Sequence, residues 1–195
     1  MGHKILYVDP VGADEALQEE FERYLSGYLA GMDFSVEVCS LGKAPMDLEY
    51  QLYLALIGPA LMRAVKQAEK DGFDAVILGC FFDPFLEAAK EISERIAVVG
   101  PAEASLRLAA AFARRFSIIA PNQKVIAPMM DNVRRCGCRD ALASFRSLDL
   151  RVEELSGRPE AVEERIRTEA KAAVQEDGAE CLIMGCTLQI GFFQT

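Results

Sequence analysis

The sequence predicts an α/β protein made of two similar halves, each with a mainly parallel sheet. Short apolar runs that suit buried strands alternate with longer amphipathic stretches that suit helices. Residues 71–80 (DGFDAVILGC) return 106 positions later as residues 177–186 (DGAECLIMGC), with five identities. Residues 5–10 (ILYVDP) and 116–121 (FSIIAP) show a weaker similarity. We therefore predict two domains, 1–100 and 101–195, with the boundary at Gly100.

The first half follows a regular alternation. Phe34 to Cys39 alternates apolar and polar residues, as a half-buried strand does, whereas Ala75 to Leu78 is continuously apolar, as a buried parallel strand is. The dipeptide at Gly58 and Pro59 is expected to interrupt a long helical stretch. In chain order the predicted elements are strand 5–8, helix 13–30, strand 34–39, helix 47–70, strand 75–78, helix 84–95 and strand 96–99.

The second half repeats this pattern. Its predicted elements are helix 102–114, strand 116–120, helix 124–135, strand 145–152, helix 159–176 and strand 181–184. Paired with the first half, this predicts two pseudo-symmetric three-layer domains.

Composition restricts the classes of function. The chain has 195 residues, 51% of them hydrophobic and 26% charged, with a net charge of −9. The longest apolar run, 52–62, is too short to cross a bilayer. A negative chain without a basic cluster disfavours nucleic acid and anionic membranes as partners. We expect a soluble, cytoplasmic protein that acts on a small molecule.

Two residue types narrow the chemistry. The chain has one histidine, His3 at the N-terminus, so a Ser-His-Asp triad, a Cys-His dyad and a His-rich metal site are disfavoured. Six cysteines are present without a CxxC pair, and Cys136-Gly137-Cys138 is interpreted as a helix end and turn. We expect no metal site. Proton transfer would then depend on Cys, Asp, Glu, Lys or Tyr.

The repeat places two thiols at comparable positions. Cys80 and Cys186 each follow a glycine at the carboxyl end of a predicted strand, where parallel sheets bind ligands. Pseudo-twofold symmetry between the halves predicts that the two thiols face each other across an interdomain cleft. Asp83-Pro84 is predicted to start a helix whose dipole favours a thiolate at Cys80. The alternative is that both cysteines are small apolar core residues.

The residues around Cys80 resemble a known family. GCFFDPFLEAAKE (79–91), followed by VVGPAEAS (98–105), resembles the aspartate/glutamate/hydantoin racemase superfamily, nearest its hydantoin racemase branch. Gly79, Cys80, Phe81, Asp83, Pro84 and Leu86 match the first-cysteine motif, with Phe85 where glycine is usual. Gly185-Cys186-Thr187 matches the second-cysteine motif, and Phe116-Ser117-Ile118 matches the strand that opens the second half.

The resemblance implies a site and also departs from the family's pattern. It implies catalytic Cys80 and Cys186, with substrate contacts at Asp9, Pro10, Phe81, Phe82, Ala120 and Thr187. The family's first strand usually ends in an Asn-Pro-Asn-Thr-like loop, where this chain has Asp9-Pro10-Val11-Gly12. An acid at Asp9 would repel a substrate carboxylate but accept hydrogen bonds from a neutral ring's N–H groups. Phe82 replaces a usual glycine and would narrow the pocket. Ala120-Pro121-Asn122 stands where the branch often has a threonine pair.

The resemblance implies a cofactor-independent, often oligomeric racemase that acts on a 5-substituted hydantoin or a related amino-acid derivative. One thiolate would remove the proton, and the opposite thiol would return one to the other face. Backbone N–H groups after each cysteine, assisted by the Thr187 hydroxyl, would stabilise the enolate-like oxygen.

Several alternatives stay open. An Asp/Glu-type amino-acid racemase and a maleate cis-trans isomerase-like enzyme would both keep the two thiols. An arylmalonate decarboxylase-like enzyme lacks the first thiol, so the presence of Cys80 ranks it low. A non-catalytic ligand-binding module is the alternative from another class.

The two halves differ in the number of residues that follow their repeated cysteine. Only nine residues follow Cys186, whereas the family normally continues with a helix and a strand. We therefore expect that the chain is incomplete at its C-terminus.

Overall fold

A computed structural model describes residues 2–155 and 159–194 of the chain. The chain divides into two compact units, residues 1–101 and 102–195. Within the described residues, no helix is both long and apolar enough to cross a membrane.

The first unit contains a four-stranded, fully parallel sheet in the order β2-β1-β3-β4. Its strands are β1 (His3–Asp9), β2 (Phe34–Ser40), β3 (Ala75–Leu78) and β4 (Ala97–Val99). Its helices are α1 (Glu15–Leu29), α2 (Gln51–Lys70) and α3 (Leu86–Ile92). The prediction of mainly parallel sheets with flanking helices is confirmed.

Alternation along β1 directs its side chains to the two faces of this sheet. On one face the Tyr7 ring packs against Phe21 of α1, with ring centroids 5.3 Å apart. On the other face Val8 belongs to a buried cluster that includes Leu61 and Val65 of α2. Three layers result, with β1 at the centre of the unit.

Helix α2 corrects one prediction. It runs without interruption from Gln51 to Lys70 although Pro59 lies inside it. A proline in a helix interior removes one hydrogen bond and costs ~3 kcal/mol. Ile57, Leu61 and Val65 are fully buried on the same helix, and burial of such side chains contributes ~1.5–3 kcal/mol each. Packing therefore outweighs the local preference for a break.

The second unit contains a three-stranded parallel sheet in the order β6-β5-β7. Its strands are β5 (Phe116–Ala120), β6 (Leu142–Ser147) and β7 (Cys181–Met184). The α-helices in this part of the chain are α4 (Pro101–Phe112), α5 (Ile126–Arg135) and α6 (Pro159–Gln175). Short 3₁₀ helices span Gln123–Val125, Arg139–Ala141, Val152–Glu154 and Thr187–Gln194.

Strand β6 lies earlier in the chain than the predicted strand 145–152. It begins at Leu142, which pairs with Phe116, and it ends at Ser147. The chain then turns at Asp149, whose φ is 51°. Leu148 and Leu150 supplied the apolar alternation that suggested a longer strand. Leu148 is instead buried in a cluster with Val162 and Ile166 of α6.

A buried carboxylate stabilises the edge of the first unit. Glu69 near the end of α2 accepts hydrogen bonds from Lys66 Nζ (2.8 Å) and from the backbone N–H groups of Glu94 (2.9 Å) and Arg95 (2.6 Å). The Lys66 hydrogen bond, together with the two backbone donors, lowers the pKa of Glu69 to about 2. The ionised side chain thus connects α2 to the segment between α3 and β4.

We predict that Glu69→Gln lowers the free energy of unfolding at pH 7. Because the folded pKa lies below the ordinary value of 4.5, the carboxylate contributes fully above pH 4.5, and the contribution is lost as pH falls toward 2. The deficit of the variant should therefore shrink on acidification from pH 4.5. Urea unfolding at several pH values measures it, with exposed Glu91→Gln as the control. Equal stability of variant and wild type at pH 7 would contradict the prediction.

Candidate functional site

Cys80 is positioned by the carboxyl end of β3. Directly after the strand, the Gly79 N–H donates to the Val8 carbonyl at 2.8 Å, which extends the pairing with β1. The Cys80 N–H then turns back to the Leu78 carbonyl at 2.7 Å, and the Cys80 carbonyl accepts from the Asp83 N–H at 3.0 Å. The half-buried thiol therefore belongs to a tight turn at the ligand-binding edge of a parallel sheet.

Gly79 permits an unusually close approach between β3 and β1. A β-carbon at this position would lie 2.5 Å from the Tyr7 ring, and the Tyr7 hydroxyl would be 2.7 Å away. Any larger residue would displace either the phenol or the turn that carries Cys80. Glycine at this position is thus a packing requirement of the site.

The predicted helix start at Asp83-Pro84 is wrong. Helix α3 begins at Leu86, after Phe85 in the left-handed conformation with φ 56°. Asp83 also has a positive φ of 48° and is 2% exposed, and its carboxyl group lies against Gly100, where there is no room for a β-carbon. The acid thus joins the turn after Cys80 to the end of β4. With seven residues and no side-chain cap, α3 does not support the expected dipole effect on Cys80.

Phe85 occupies the position where the resemblance expects glycine, and its backbone conformation is the one that favours glycine. Its ring packs over Gly58 of α2, where a β-carbon would come within 3.0 Å of the ring. This contact pairs a glycine on α2 with an aromatic residue on the turn. Phe85 therefore contributes to packing between the turn and α2.

Asp9 lies at the same edge as Cys80. It is the last residue of β1, pairs with Ser40 of β2 and directly follows Val8, whose carbonyl receives the Gly79 N–H. Its side chain is 6% exposed. Burial, and secondarily the negative charge of Asp14, raises the pKa of Asp9 to about 7.

Burial and the neighbouring Asp9 and Glu37 also raise the pKa of the Cys39 thiol, to about 11. Cys39 is therefore a poor source of thiolate.

Cys186 has an equivalent environment in the second unit. The Gly185 N–H donates to the Ile119 carbonyl at 2.8 Å, as Gly79 does to Val8. A β-carbon at Gly185 would lie 2.9 Å from the Ile119 carbonyl oxygen. The half-buried Cys186 thus follows β7 at the carboxyl edge of the second sheet. The repeated Gly-Cys sequence therefore forms the same hydrogen bond, from the glycine N–H to the neighbouring strand, in both units.

Gln189 supports Cys186 and was not singled out from sequence. Its Oε1 accepts from the Cys186 N–H at 3.1 Å, while its own backbone N–H donates to the Cys186 carbonyl at 3.0 Å. The side chain is completely buried, and its Nε2 has no hydrogen-bond partner among the described residues. The sequence feature that could have indicated this role is a single polar residue between two apolar ones, Leu188 and Ile190, three positions after Cys186.

The other predicted contact residues differ in exposure. Ala120 ends β5, is fully buried, and accepts the Leu148 N–H through its carbonyl. Thr187 is half-buried at the start of the last 3₁₀ helix. Phe81 is 4% exposed and Pro10 is buried, whereas Phe82 is half-buried. No cluster of three or more His, Cys, Asp or Glu side chains suited to a metal ion occurs within residues 2–155 and 159–194.

Comparison with known proteins places this geometry in context. The family model described as Asp/Glu/Hydantoin racemase matches residues 5–189. A hydantoin racemase from Pseudomonas sp. (strain NS671) is 34% identical over 75% of this chain and 57% of that protein. A hydantoin racemase from Paenarthrobacter aurescens is 36% identical over 77% of this chain and 64% of that protein. The matched regions thus cover less than two thirds of the length of these relatives.

Solved structures show the same fold. An allantoin racemase from Klebsiella pneumoniae superimposes with a TM-score of 0.91 at 22% identity, over 99% of this chain and 78% of the other. An allantoin racemase from Pseudomonas fluorescens gives a TM-score of 0.88 at 24% identity, over 98% and 80%. At these identities the likeness concerns the fold.

We predict that Asp9→Asn raises the free energy of unfolding above pH 7. Because the folded pKa exceeds the ordinary value of 3.8, the native protein holds a proton that the unfolded chain releases, so wild-type stability falls between pH 4 and 7. At about 1.4 kcal/mol per pKa unit, the variant's advantage at pH 8 is on the order of 4 kcal/mol.

Urea unfolding from pH 4.5 to 8.5 measures this difference. The advantage of Asp9→Asn should grow up to pH 7 and then level off. The exposed Glu19→Gln variant serves as the charge-matched control and should follow the wild-type profile. An Asp9→Asn profile parallel to the wild type would contradict the prediction.

Proposed function

The chain belongs to the Asp/Glu/hydantoin racemase family, and we propose that it is a cofactor-independent racemase with a two-cysteine mechanism. The substrate class is a 5-substituted hydantoin or a related amino-acid derivative. The observation that carries the proposal is the repeated Gly-Cys turn. Each thiol follows a strand at the carboxyl edge of its sheet, behind a glycine that donates to the neighbouring strand. The hydantoin racemases matched at 34% and 36% identity support this substrate class.

In the proposed reaction Cys80 and Cys186 act on opposite faces of one carbon. One cysteine, as thiolate, removes the proton from the ring carbon next to the carbonyl and becomes a thiol. The electron pair of the broken C–H bond delocalises onto the carbonyl oxygen as an enolate. The other cysteine donates its proton to the opposite face and becomes the thiolate. The two cysteines exchange protonation states, and the reverse reaction uses them in the opposite roles.

The enolate oxygen needs hydrogen-bond donors. The Cys186 N–H donates to Gln189 Oε1 at 3.1 Å within the turn that carries the thiol. We assign the role to the backbone N–H groups that follow the two cysteines, at Phe81 and Thr187, with assistance from the Thr187 hydroxyl. Gln189 acts as a positioning residue that holds the Cys186 turn in place.

The buried acid at the edge of the first sheet supports a neutral ring as substrate. A free amino acid presents an α-carboxylate, which only accepts hydrogen bonds and so leaves the acceptor oxygen of a protonated Asp9 unmatched. A hydantoin ring carries no charge and offers N–H donors. We propose that Pro10, Phe81, Phe82 and Ala120 complete the substrate contacts. The pairing of Asp9 with a ring favours the hydantoin branch over an Asp/Glu-type racemase or a maleate isomerase-like activity.

We also propose a cytoplasmic homo-oligomer. All six cysteines are in the reduced form, as is usual in a reducing compartment. Large apolar side chains are exposed on α2 and α4, at Leu52, Leu56, Leu108 and Phe112, and exposed apolar groups of this kind favour association. Light scattering after gel filtration should give a mass that is a multiple of 21.4 kDa. A monomer at micromolar concentration would contradict the assembly.

The function is tested by deuterium exchange. A single enantiomer of a 5-substituted hydantoin is incubated with the protein in D₂O, and the spontaneous rate is subtracted. We predict that the inverted product carries deuterium at the stereocentre, while recovered substrate keeps its proton at early times, because the two faces are served by different bases. Cys80→Ser and Cys186→Ser should each lower racemisation by about 100-fold or more, the contribution of a positioned acid or base.

Cys136→Ser is the matched control, since Cys136 lies in a turn after α5 and should leave the rate unchanged. Full racemisation by either Cys80→Ser or Cys186→Ser would overturn the two-thiol mechanism. Absence of exchange with every hydantoin tested would overturn the proposed function itself.

A further inference from the structure

Asp9 is a carboxyl group enclosed by its own unit. Three backbone hydrogen bonds join the loop after β1 to the loop after β2: Gly12 N–H to Pro45 O (2.8 Å), Ala13 N–H to Gly42 O (3.1 Å) and Leu41 N–H to Val11 O (3.0 Å). These loops follow Asp9 and its strand partner Ser40. The burial of Asp9 is therefore built into the fold.

The Asp9 carboxyl group is largely but not completely buried, and it has no hydrogen-bond partner among the described residues. The residue as a whole is 6% exposed. The hydroxyl of Ser40, which pairs with it, accepts instead from Gln18 Nε2 at 3.0 Å. At the edge where Cys80 follows β3, a ligand would supply the missing partner.

The groups around Asp9 favour its neutral form. Asp14, the N-cap of α1, adds a negative charge, and Cys39 on β2 interacts electrostatically with the acid. Cys80, another ionisable group, follows the adjacent strand β3. Among the described residues, the charge that shifts the pKa of Asp9 is the negative charge of Asp14. Because its pKa is raised to about 7, Asp9 carries a proton in mildly acidic conditions and loses it as the pH rises through 7.

We propose that the protonated Asp9 carboxyl forms a two-point hydrogen bond with an amide edge of a neutral ring substrate. Its O–H donates to a ring carbonyl while its C=O accepts from the adjacent ring N–H. A carboxylic acid presents one donor and one acceptor side by side, and an N–H next to a C=O presents the complement. This inference rests on the proposed function and deepens it, because it specifies cyclic amides and ureides, whose adjacent N–H and C=O groups complement both oxygens of the acid.

The proposal makes the charge of Asp9 the determinant of affinity. Ionisation removes the donor and places a negative charge against a carbonyl oxygen, so only the protonated protein binds. The apparent dissociation constant then rises as the protonated fraction falls, by about tenfold at one pH unit above the pKa. Asparagine offers the same donor–acceptor pair without titrating. Asp9→Asn therefore separates the hydrogen-bond pattern from the ionisation.

The test uses 5,5-dimethylhydantoin, which has the ring but no proton to abstract, in titration calorimetry of the full chain. We expect wild-type affinity to be constant from pH 5 to 6 and about tenfold weaker at pH 8, with uptake of nearly one proton per ligand at pH 8. Asp9→Asn should bind equally at both pH values without proton uptake. Asp9→Leu should bind about tenfold more weakly or worse at pH 6.

Two outcomes would overturn the proposal. The first is wild-type binding that is independent of pH and takes up no proton. The second is equal affinity for 1,3-dimethylated and unmethylated rings, since methylation removes both ring N–H donors. Either result leaves the exchange experiment unaffected, so a failure of the Asp9 pairing is distinguishable from a failure of racemisation. Circular dichroism of Asp9→Leu verifies that the variant is folded.

Discussion

The hydrogen bond from a glycine N–H to the neighbouring strand organises both candidate catalytic turns. In each unit the glycine extends the parallel ladder by one residue and leaves the next residue, a cysteine, at the carboxyl edge. Glycine is required because the neighbouring strand is too close for a β-carbon: Tyr7 occupies that space at Gly79, and the Ile119 carbonyl approaches Gly185. The thiol positions thus follow from strand pairing rather than from flexible loops. The internal repeat preserves this constraint in two copies.

Two buried carboxylates of the first unit have opposite electrostatics. Glu69 accepts hydrogen bonds from a lysine and two backbone N–H groups, so its charged form is favoured and its pKa falls. Asp9 is buried near another acid without such donors, so its pKa rises. The first arrangement stabilises the native fold near neutral pH, and the second costs stability there. Asp9 therefore lowers the stability of the fold at a strand end, where parallel sheets bind ligands. Such a loss of stability is typical of a residue whose role is to bind a ligand.

The features predictable from sequence were those with a strong local signal. Strands β3, β5 and β7 were predicted with their observed bounds because each is a short, almost entirely apolar run flanked by polar or turn residues, as buried parallel strands are. Helix α3 and strand β6 were mispredicted because tertiary packing decided them. Asp83 lies against Gly100 instead of capping a helix, and Leu148 packs against α6 instead of extending a strand. Gln189 was missed because its role depends on a hydrogen bond to a backbone group that sequence patterns do not reveal.

The most direct test of the central claim is the alkylation rate of each cysteine by iodoacetamide, resolved by peptide mass spectrometry near pH 7. If Cys80 and Cys186 form one reacting pair, one of them reacts much faster than Cys136, and 5,5-dimethylhydantoin protects both. Uniformly slow rates at Cys80 and Cys186, unaffected by the hydantoin, would contradict the account and favour two buried structural cysteines.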